Sequence, residues 1–194
     1  MSSDFSFVAL DLEFTQPSCQ IIQVGVAFGD PARGVTSTAS WFLDPGEPIS
    51  AHIEQLTGIG DETIARHAVS FEQMAQELSV LIQAQPNLFL NPITWGGADS
   101  EALKAELTRR GIEFNHFGRR WIDLKTVFVF GELARQRSPH GGLSRSMGRY
   151  KLPFVGQAHR ADVDASNTLS FFFHLLNREK NLLGAVDTIK SLVS

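Results

Sequence analysis

Asp11 and Glu13 stand one residue apart in FVALDLEF, at the end of an apolar run. As a β-strand, that run has a side-chain period of two, which places both carboxylates on one face and turns Leu12 to the other. Two acids emerging together from an apolar strand are costly unless something pairs with them. A hard divalent cation such as Mg²⁺ or Mn²⁺, which prefers carboxylate and water oxygens, is the simplest partner. Taken alone, Asp-x-Glu after a strand is weak evidence of catalysis. Asp99 follows the turn WGG and opens a helical pattern. An acid is favoured there by the helix dipole, by a few tenths to about 1 kcal/mol, whether or not it does chemistry. Asp164 opens the last long helical pattern and carries the same ordinary reading. His159 precedes it by five residues in GQAHRADVDASNT. A neutral imidazole there can take a proton from water while the nearby carboxylate holds metal. A lone histidine is more often a local hydrogen-bonding residue, so the argument gains its force from the assembled set.

Several elements must bring these residues together. Phe5 to Leu12 reads as a central strand buried on both faces, because Phe7, Val8, Ala9 and Leu10 are consecutive and apolar. Gln20 to Phe28 reads as a second strand, closed by the turn Gly29-Asp30-Pro31, and Thr36 to Leu43 as a third, hairpin-paired with it. A short helix is predicted over His52 to Leu56, after a loop rich in Pro and Gly. A longer helix starts at Ser70, whose hydroxyl caps the first turn with Gln73 in capping-box register; Phe71, Met74, Ala75, Leu78, Leu81 and Ile82 give it a buried stripe. Leu88 to Trp95 reads as a fourth strand that is bulged or ends near Pro92, which lacks a ladder donor. Ala98 to Arg110 is predicted helical, ended by Gly111, and a further strand-to-helix passage covers Trp121 to Leu133. Arg135 to Gly142 is the most loop-like segment; Arg135 and Arg137 make it either a strip for phosphate contact or a merely solvated loop. A short helix follows over Leu143 to Met147, and a long one over Asp162 to Asn177, with Phe171-Phe172-Phe173 mainly in the core. Sequential strands followed by helical patterns specify a mixed sheet.

The chain has 194 residues, 43% of them hydrophobic, which suits one core able to bury roughly 70% of the surface of the unfolded chain. No stretch approaches the length of a membrane span, and MSSDFSFVALD lacks a basic leader before a sustained apolar run, so a soluble, cytoplasmic protein is expected. Cys19 is the only cysteine, which excludes an internal disulfide and a thiolate metal site and leaves oxygen and histidine to carry any metal chemistry. The net charge of -4, from 21 acids against 17 lysines and arginines, is not that of a typical duplex binder and argues for a local substrate contact. It is also what clustered carboxylates contribute before cations invert the local potential.

The segments FVALDLEFT, WGGADSEALKAEL and HRADVDASNT resemble, in order, the three motifs of the DEDDh exonucleases, a branch of the ribonuclease H-like superfamily. LTGIGDETI, from Leu56 to Ile64, resembles the segment that usually follows the third strand in these enzymes, and the likeness runs from Phe7 to about Leu176. Within the group, WIDLKTVF and the glycine in LPFVGQAHRADVDASNT look most like the ERI-1 and KapD-type enzymes, whose known members include RNA-trimming exonucleases. The resemblance implies a ribonuclease H-like α/β fold with a central five-stranded mixed sheet flanked by helices. It implies one exonuclease domain over 1–194, with 178–194 a C-terminal helical extension. It implies that Asp11, Glu13, Asp99 and Asp164 hold two divalent cations, Mg²⁺ or Mn²⁺, with Asp11 bridging, and that His159 is the general base. Phe14, Thr15 and Leu56 stand where related enzymes contact the terminal nucleotide, although composition alone assigns Phe14 and Leu56 to the core. Asp162, two residues before Asp164, departs from the pattern and competes for the last ligand position; five-residue spacing from His159 favours Asp164. The implied activity is 3′→5′ hydrolysis of single-stranded nucleic acid, RNA ahead of DNA, to nucleoside 5′-monophosphates. The rival readings are a DNA-directed proofreading-type exonuclease, a phosphodiesterase of short oligonucleotides, and a non-catalytic nucleic-acid binding or partner-regulating protein. A homodimer that supplies basic surface from its second protomer is a further expectation.

Overall fold

Val8, Ala9 and Leu10 have no exposed surface, because the strand that carries them is covered on both faces. This strand, β1 (Phe7–Phe14), pairs antiparallel with β2 (Ile21–Asp30), which pairs antiparallel with β3 (Gly34–Leu43). The chain then forms α1 (Ala51–Thr57), capped by the Ser50 hydroxyl on the Ile53 N–H, and α2 (Asp61–His67). The two-residue β4 (Ala68–Val69) joins β3 in parallel. Next come α3 (Phe71–Gln83), β5 (Ile93–Thr94), α4 (Ala98–Arg109), β6 (Ile122–Asp123) and α5 (Leu124–Ala134), ending in α6 (Leu143–Arg149) and α7 (Ala161–Val193). The structure is a computed structural model that describes residues 5–193, with side chains described through residue 185. The sheet order is β4-β3-β2-β1-β5-β6, with β5 parallel to β1 and β6 parallel to β5.

Alternation along β1 divides the core. Val8, Leu10 and Leu12 pack with α3 and α4 side chains such as Met74, Leu78 and Leu103. Phe7 and Ala9 face the other way, into a cluster with Phe128 of α5, Met147 of α6, and Ala165, Leu169 and Phe171 of α7. Asp11 and Glu13 continue the parity of Phe7 and Ala9, so the apolar row beneath α7 ends in two carboxylates. Phe171 and Phe173 are buried and Phe172 is half-buried, as the run of three required.

Several elements differ from the sequence reading: α2 forms where no helix is predicted, and β2 runs on through Gly29 and Asp30, which are expected in its closing turn. The mixed sheet has a sixth strand, because Ala68–Val69 adds to the edge of β3. The strand expected over Leu88 to Trp95 shrinks to Ile93–Thr94: Pro92 has no N–H to donate, and only its carbonyl is used, accepting from the Ile122 N–H at 2.9 Å. Leu88 makes an isolated bridge to Ser6 instead. β1 starts at Phe7 rather than Phe5 and carries both acids within it. The last helix does not stop at Asn177; it runs to Val193, so 178–193 continues α7, while Ser194 lies outside the described residues. The Ser70 cap on α3 accepts from the Gln73 N–H at 3.0 Å, as its spacing predicted.

Candidate active site

Asp11 and Glu13 face Gly25 and Gln23 of β2 across the antiparallel pair. This register admits the last segment of the site, the start of α7. A Cβ on Gly25 would lie 2.1 Å from the carbonyl carbon of Ala161, so glycine lets the start of α7 rest directly on the sheet beside Asp11. Gln23, fully buried, accepts from the Ala161 N–H at 3.0 Å and donates to Asp162 Oδ1 at 3.2 Å. Asp162 is thereby drawn to Gln23 and to Arg160, whose Nε lies 3.9 Å from its carboxylate. Asp164, one half-turn on, points into the site. One ligand atom each from Asp11, Glu13 and Asp164 lies within 4.8 Å of the others. Asp162 and Asp164 thus leave the same turn toward different partners.

His159 enters this turn with a left-handed backbone, φ +63°, which a non-glycine residue adopts at a cost of order 1–3 kcal/mol. Its N–H donates to Asp164 Oδ2 at 2.7 Å, while the Asp164 N–H donates to the Arg160 carbonyl at 2.8 Å. The imidazole is exposed. It shares a cleft of about 340 Å³ with Asp11, Glu13 and Asp164, walled by Trp95, Leu143 and Phe154. Among the described residues, Arg145 of α6 is the only lysine or arginine lining that cleft.

Asp99 sits in the first turn of α4 and is buried. It lies outside the three-residue group, yet its charge acts on Asp11 ahead of that of Asp164. Burial, followed by the charges of Asp99, Asp164 and Glu13, holds Asp11 well above the usual carboxylate range. Burial and the charges of Asp164 and Asp99 raise Glu13 to about 8, against the pull of Arg160. Burial is also the main cause that lifts Asp99 to about 7; the N–H groups of Asp99 and Leu12 oppose it, and the charges of Asp123 and Asp164 reinforce it. Burial raises Asp164 too, opposed by the His159 N–H. Four acids that resist ionising together form a donor set made wholly of oxygen, which fits hard divalent cations. Cys19, the only thiol in the chain, is exposed and not among them.

No protein-family model matches the sequence, and no curated protein matches it. The fold does have solved counterparts. Over 92% of this chain and 95% of that one, it superposes on the nuclease domain of 3'hExo, a DEDDh family member, bound to rAMP, with a TM-score of 0.77 and 15% identity. Cell-death related nuclease 4 (CRN-4) superposes with a TM-score of 0.74 and 18% identity, over 89% of this chain and 64% of that one. E. coli Exonuclease I in complex with a dA16 oligonucleotide gives 0.70 and 16%, over 95% of this chain and 43% of that one. The chain has the fold of the DEDDh exonucleases. It spans 63% of the length of a full-length 3′-exonuclease that it also matches, with a TM-score of 0.76 and 15% identity.

On this DEDDh-exonuclease fold the three expected substrate residues lie outside the cleft lining. Thr15 is buried, its hydroxyl shared with Ser18 Oγ at 2.7 Å and accepting from the Gln20 N–H at 2.9 Å, which fixes the turn after β1. Phe14 is partly buried against the core beneath α3 and α4. Leu56 is half-buried on α1. Trp95, Phe154, Arg145 and Gln23 went unread in the sequence. Gln23 and Gly25 did leave a signal: a carboxamide and a glycine interrupt the otherwise apolar run of β2.

The electrostatics set the pH dependence of the metal-free protein. Glu13 keeps a proton up to about 8 when folded but loses it near 4.5 when unfolded. A raised carboxylate pKa means the folded state binds more protons, so stability falls as pH rises through this window. The shift of Asp99 from 3.8 to about 7 acts in the same sense. Glu106, held down at about 2 by Arg109 and Arg110, contributes stability that is lost only at lower pH, outside the window. The thermal midpoint in chelator is therefore expected to fall between about pH 4.5 and pH 8. Glu13→Gln should flatten that fall, and a wild-type midpoint that is flat or rises there would contradict the electrostatic account.

Proposed function

We propose that this chain is a metal-dependent 3′→5′ exonuclease that releases nucleoside 5′-monophosphates from single-stranded nucleic acid, with RNA ahead of DNA. The observation that carries the proposal is the gathering of Asp11, Glu13 and Asp164 in one cleft with His159, with Asp99 beside them, on a DEDDh-exonuclease fold. In this reading 1–194 is one exonuclease unit, with 178–194 a helical extension.

Asp11, Glu13, Asp99 and Asp164 would hold two divalent cations, Mg²⁺ or Mn²⁺. When bound, such cations neutralise the scissile phosphate and supply a water acidic enough to attack near neutral pH. The acids hold the charge in place. His159, exposed at the mouth, accepts the proton of the attacking water on an imidazole nitrogen. Its backbone N–H, tied to Asp164, holds this residue at the rim of the cleft that Asp164 lines. Trp95, Leu143 and Phe154 offer an apolar wall for a terminal nucleotide, contact that tolerates any base. Arg145, in the cleft lining, offers a guanidinium to a phosphate. Phe14, Thr15 and Leu56 retain a substrate role only as the proposal drawn from resemblance.

The net charge of -4 supports single strands over duplex, since nonspecific attraction to a duplex scales with neutralised phosphates. Preference for RNA rests on the likeness of WIDLKTVF and the final motif to the ERI-1 and KapD-type branch, because solved neighbours carry rAMP in one case and a dA16 oligonucleotide in another. No helix among the described residues is long and apolar enough to cross a membrane. A cytoplasmic location and a homodimer belong to the proposal. The groove between α5 and α7, with Phe130 exposed, is the apolar surface that a second protomer would cover, and a mass measurement in solution decides it.

The test compares end-labelled single-stranded RNA and DNA with matched duplexes, at one salt and metal concentration. Single-stranded RNA should be hydrolysed fastest, and EDTA should stop the reaction until Mg²⁺ or Mn²⁺ is restored. Faster turnover of single-stranded DNA would defeat the substrate preference. Full hydrolysis in buffer shown free of metal by elemental analysis would defeat the metal reading.

A further inference from the structure

Gln23 is polar, fully buried and placed near the start of an otherwise apolar strand, where an unpaired carboxamide is costly. It is not unpaired. Both ends of its carboxamide are spent on the first turn of α7, which is 138 residues away in sequence: the oxygen on the Ala161 N–H, the nitrogen on Asp162 Oδ1. It faces Glu13 across the β1–β2 pair, and Asp11 faces Gly25, the residue on which the Ala161 backbone rests. Asp162 completes the clamp, with Arg160 on its far side; the Arg160 guanidinium in turn lies over the Phe42 ring at 5.4 Å. The two contacts fix the height and the rotation of α7 over β1 and β2. Asp164 leaves that same first turn for the cluster with Asp11 and Glu13.

We infer that Gln23 and Asp162 form a positioning clamp that holds Asp164 in register with Asp11 and Glu13, so that Asp162 serves the site as a clamp and not as a ligand. This rests on the proposed metal site. It accounts for the second acid of HRADVDASNT: Asp162 accepts a hydrogen bond from β2, Asp164 faces the cleft, and the two roles cannot be exchanged without turning the helix. Residues that orient metal ligands typically change metal affinity by about 10- to 100-fold when altered. Loss of the clamp is expected to act on that scale, with less effect on turnover at saturating metal.

The polarity of the pair makes the test specific. Gln23→Glu sets a carboxylate against Asp162 and removes the donor. Adding Asp162→Asn to it restores one donor and one acceptor in reversed order, leaves the Ala161 N–H an acceptor, and keeps the charge of the pair. Gln23→Leu removes both contacts and offers nothing that Asp162→Asn can rescue. Full-length protein would be titrated with Mn²⁺ by calorimetry, and hydrogen exchange of the peptide over residues 160–163 would be followed in metal-free buffer. Gln23→Glu and Gln23→Leu should weaken Mn²⁺ binding by about 10-fold or more and speed exchange in the first turn of α7. Asp162→Asn alone should be mild, far milder than Asp164→Asn. The double variant Gln23→Glu with Asp162→Asn should recover to within about threefold of wild type, whereas Gln23→Leu with Asp162→Asn should not. Equal damage in both double variants would overturn the clamp, as would wild-type Mn²⁺ binding and exchange in both Gln23 single variants. Exchange that responds as described in a protein that binds no Mn²⁺ would instead confine the clamp to the fold, refuting both its metal role and the metal reading of the cleft.

Discussion

Asp11→Asn is expected to lower turnover by about 10³-fold or more, the equivalent of several kcal/mol of charge stabilisation. Asp11 is the acid on which the charges of Asp99, Asp164 and Glu13 all act, so it lies where the cluster converges. Strand parity gives it no freedom to move: a shift of one residue would turn it into the face occupied by Leu10 and Leu12. Glu13→Gln should cost less, because Glu13 stands further toward Arg160, whose cation already offsets part of its environment. The same Asp11→Asn change should raise the thermal midpoint of the metal-free protein near pH 8, since it removes a half-buried carboxylate that desolvation and its acidic neighbours disfavour. Activity and stability then move in opposite directions, which a misfolded variant would not do. Turnover close to wild type in Asp11→Asn would remove this residue from the site.

His159→Ala is expected to lower turnover by about 10²- to 10⁴-fold while Mn²⁺ binding and the thermal midpoint stay close to wild type. The imidazole is exposed, so no core packing is lost, and the N–H that holds Asp164 belongs to the backbone and survives the substitution. The positive φ supplies a control. Glycine adopts φ +63° freely, so His159→Gly relieves backbone strain that His159→Ala retains. Equal loss in the two variants assigns the effect to the imidazole; recovery in the glycine variant would assign it to the turn. A near-normal rate in His159→Ala would exclude this residue as the base.

The reach of the sequence differs from residue to residue for physical reasons. Asp11 and Glu13 were legible because a strand's period of two sends them to one face, and that face proved to be the one under α7. Ser70 was legible because capping chemistry is local. Asp99 and Asp164 could be placed only in first turns, where acids are common, and their convergence on Asp11 depends on how α4 and α7 meet the sheet. Gln23 carried a visible anomaly but no visible partner, since its contacts lie 138 and 139 residues away. Thr15 was given a substrate role by resemblance alone; the bond its hydroxyl accepts from the Gln20 N–H is set by the turn after β1, which no strand or helix period announces. The two-residue strands β4, β5 and β6 are too short to leave a periodic pattern, and their pairing is decided by neighbours already in the sheet.

The most direct measurement of the central claim uses one single-stranded RNA in two forms, linear with a 5′ label and covalently circular, each incubated with the protein and Mg²⁺. Stepwise shortening of the linear strand, release of nucleoside 5′-monophosphates, no product from the circle, and no reaction of either in EDTA are expected. Cuts within the circular strand, or nucleoside 3′-monophosphates from the linear one, would contradict it.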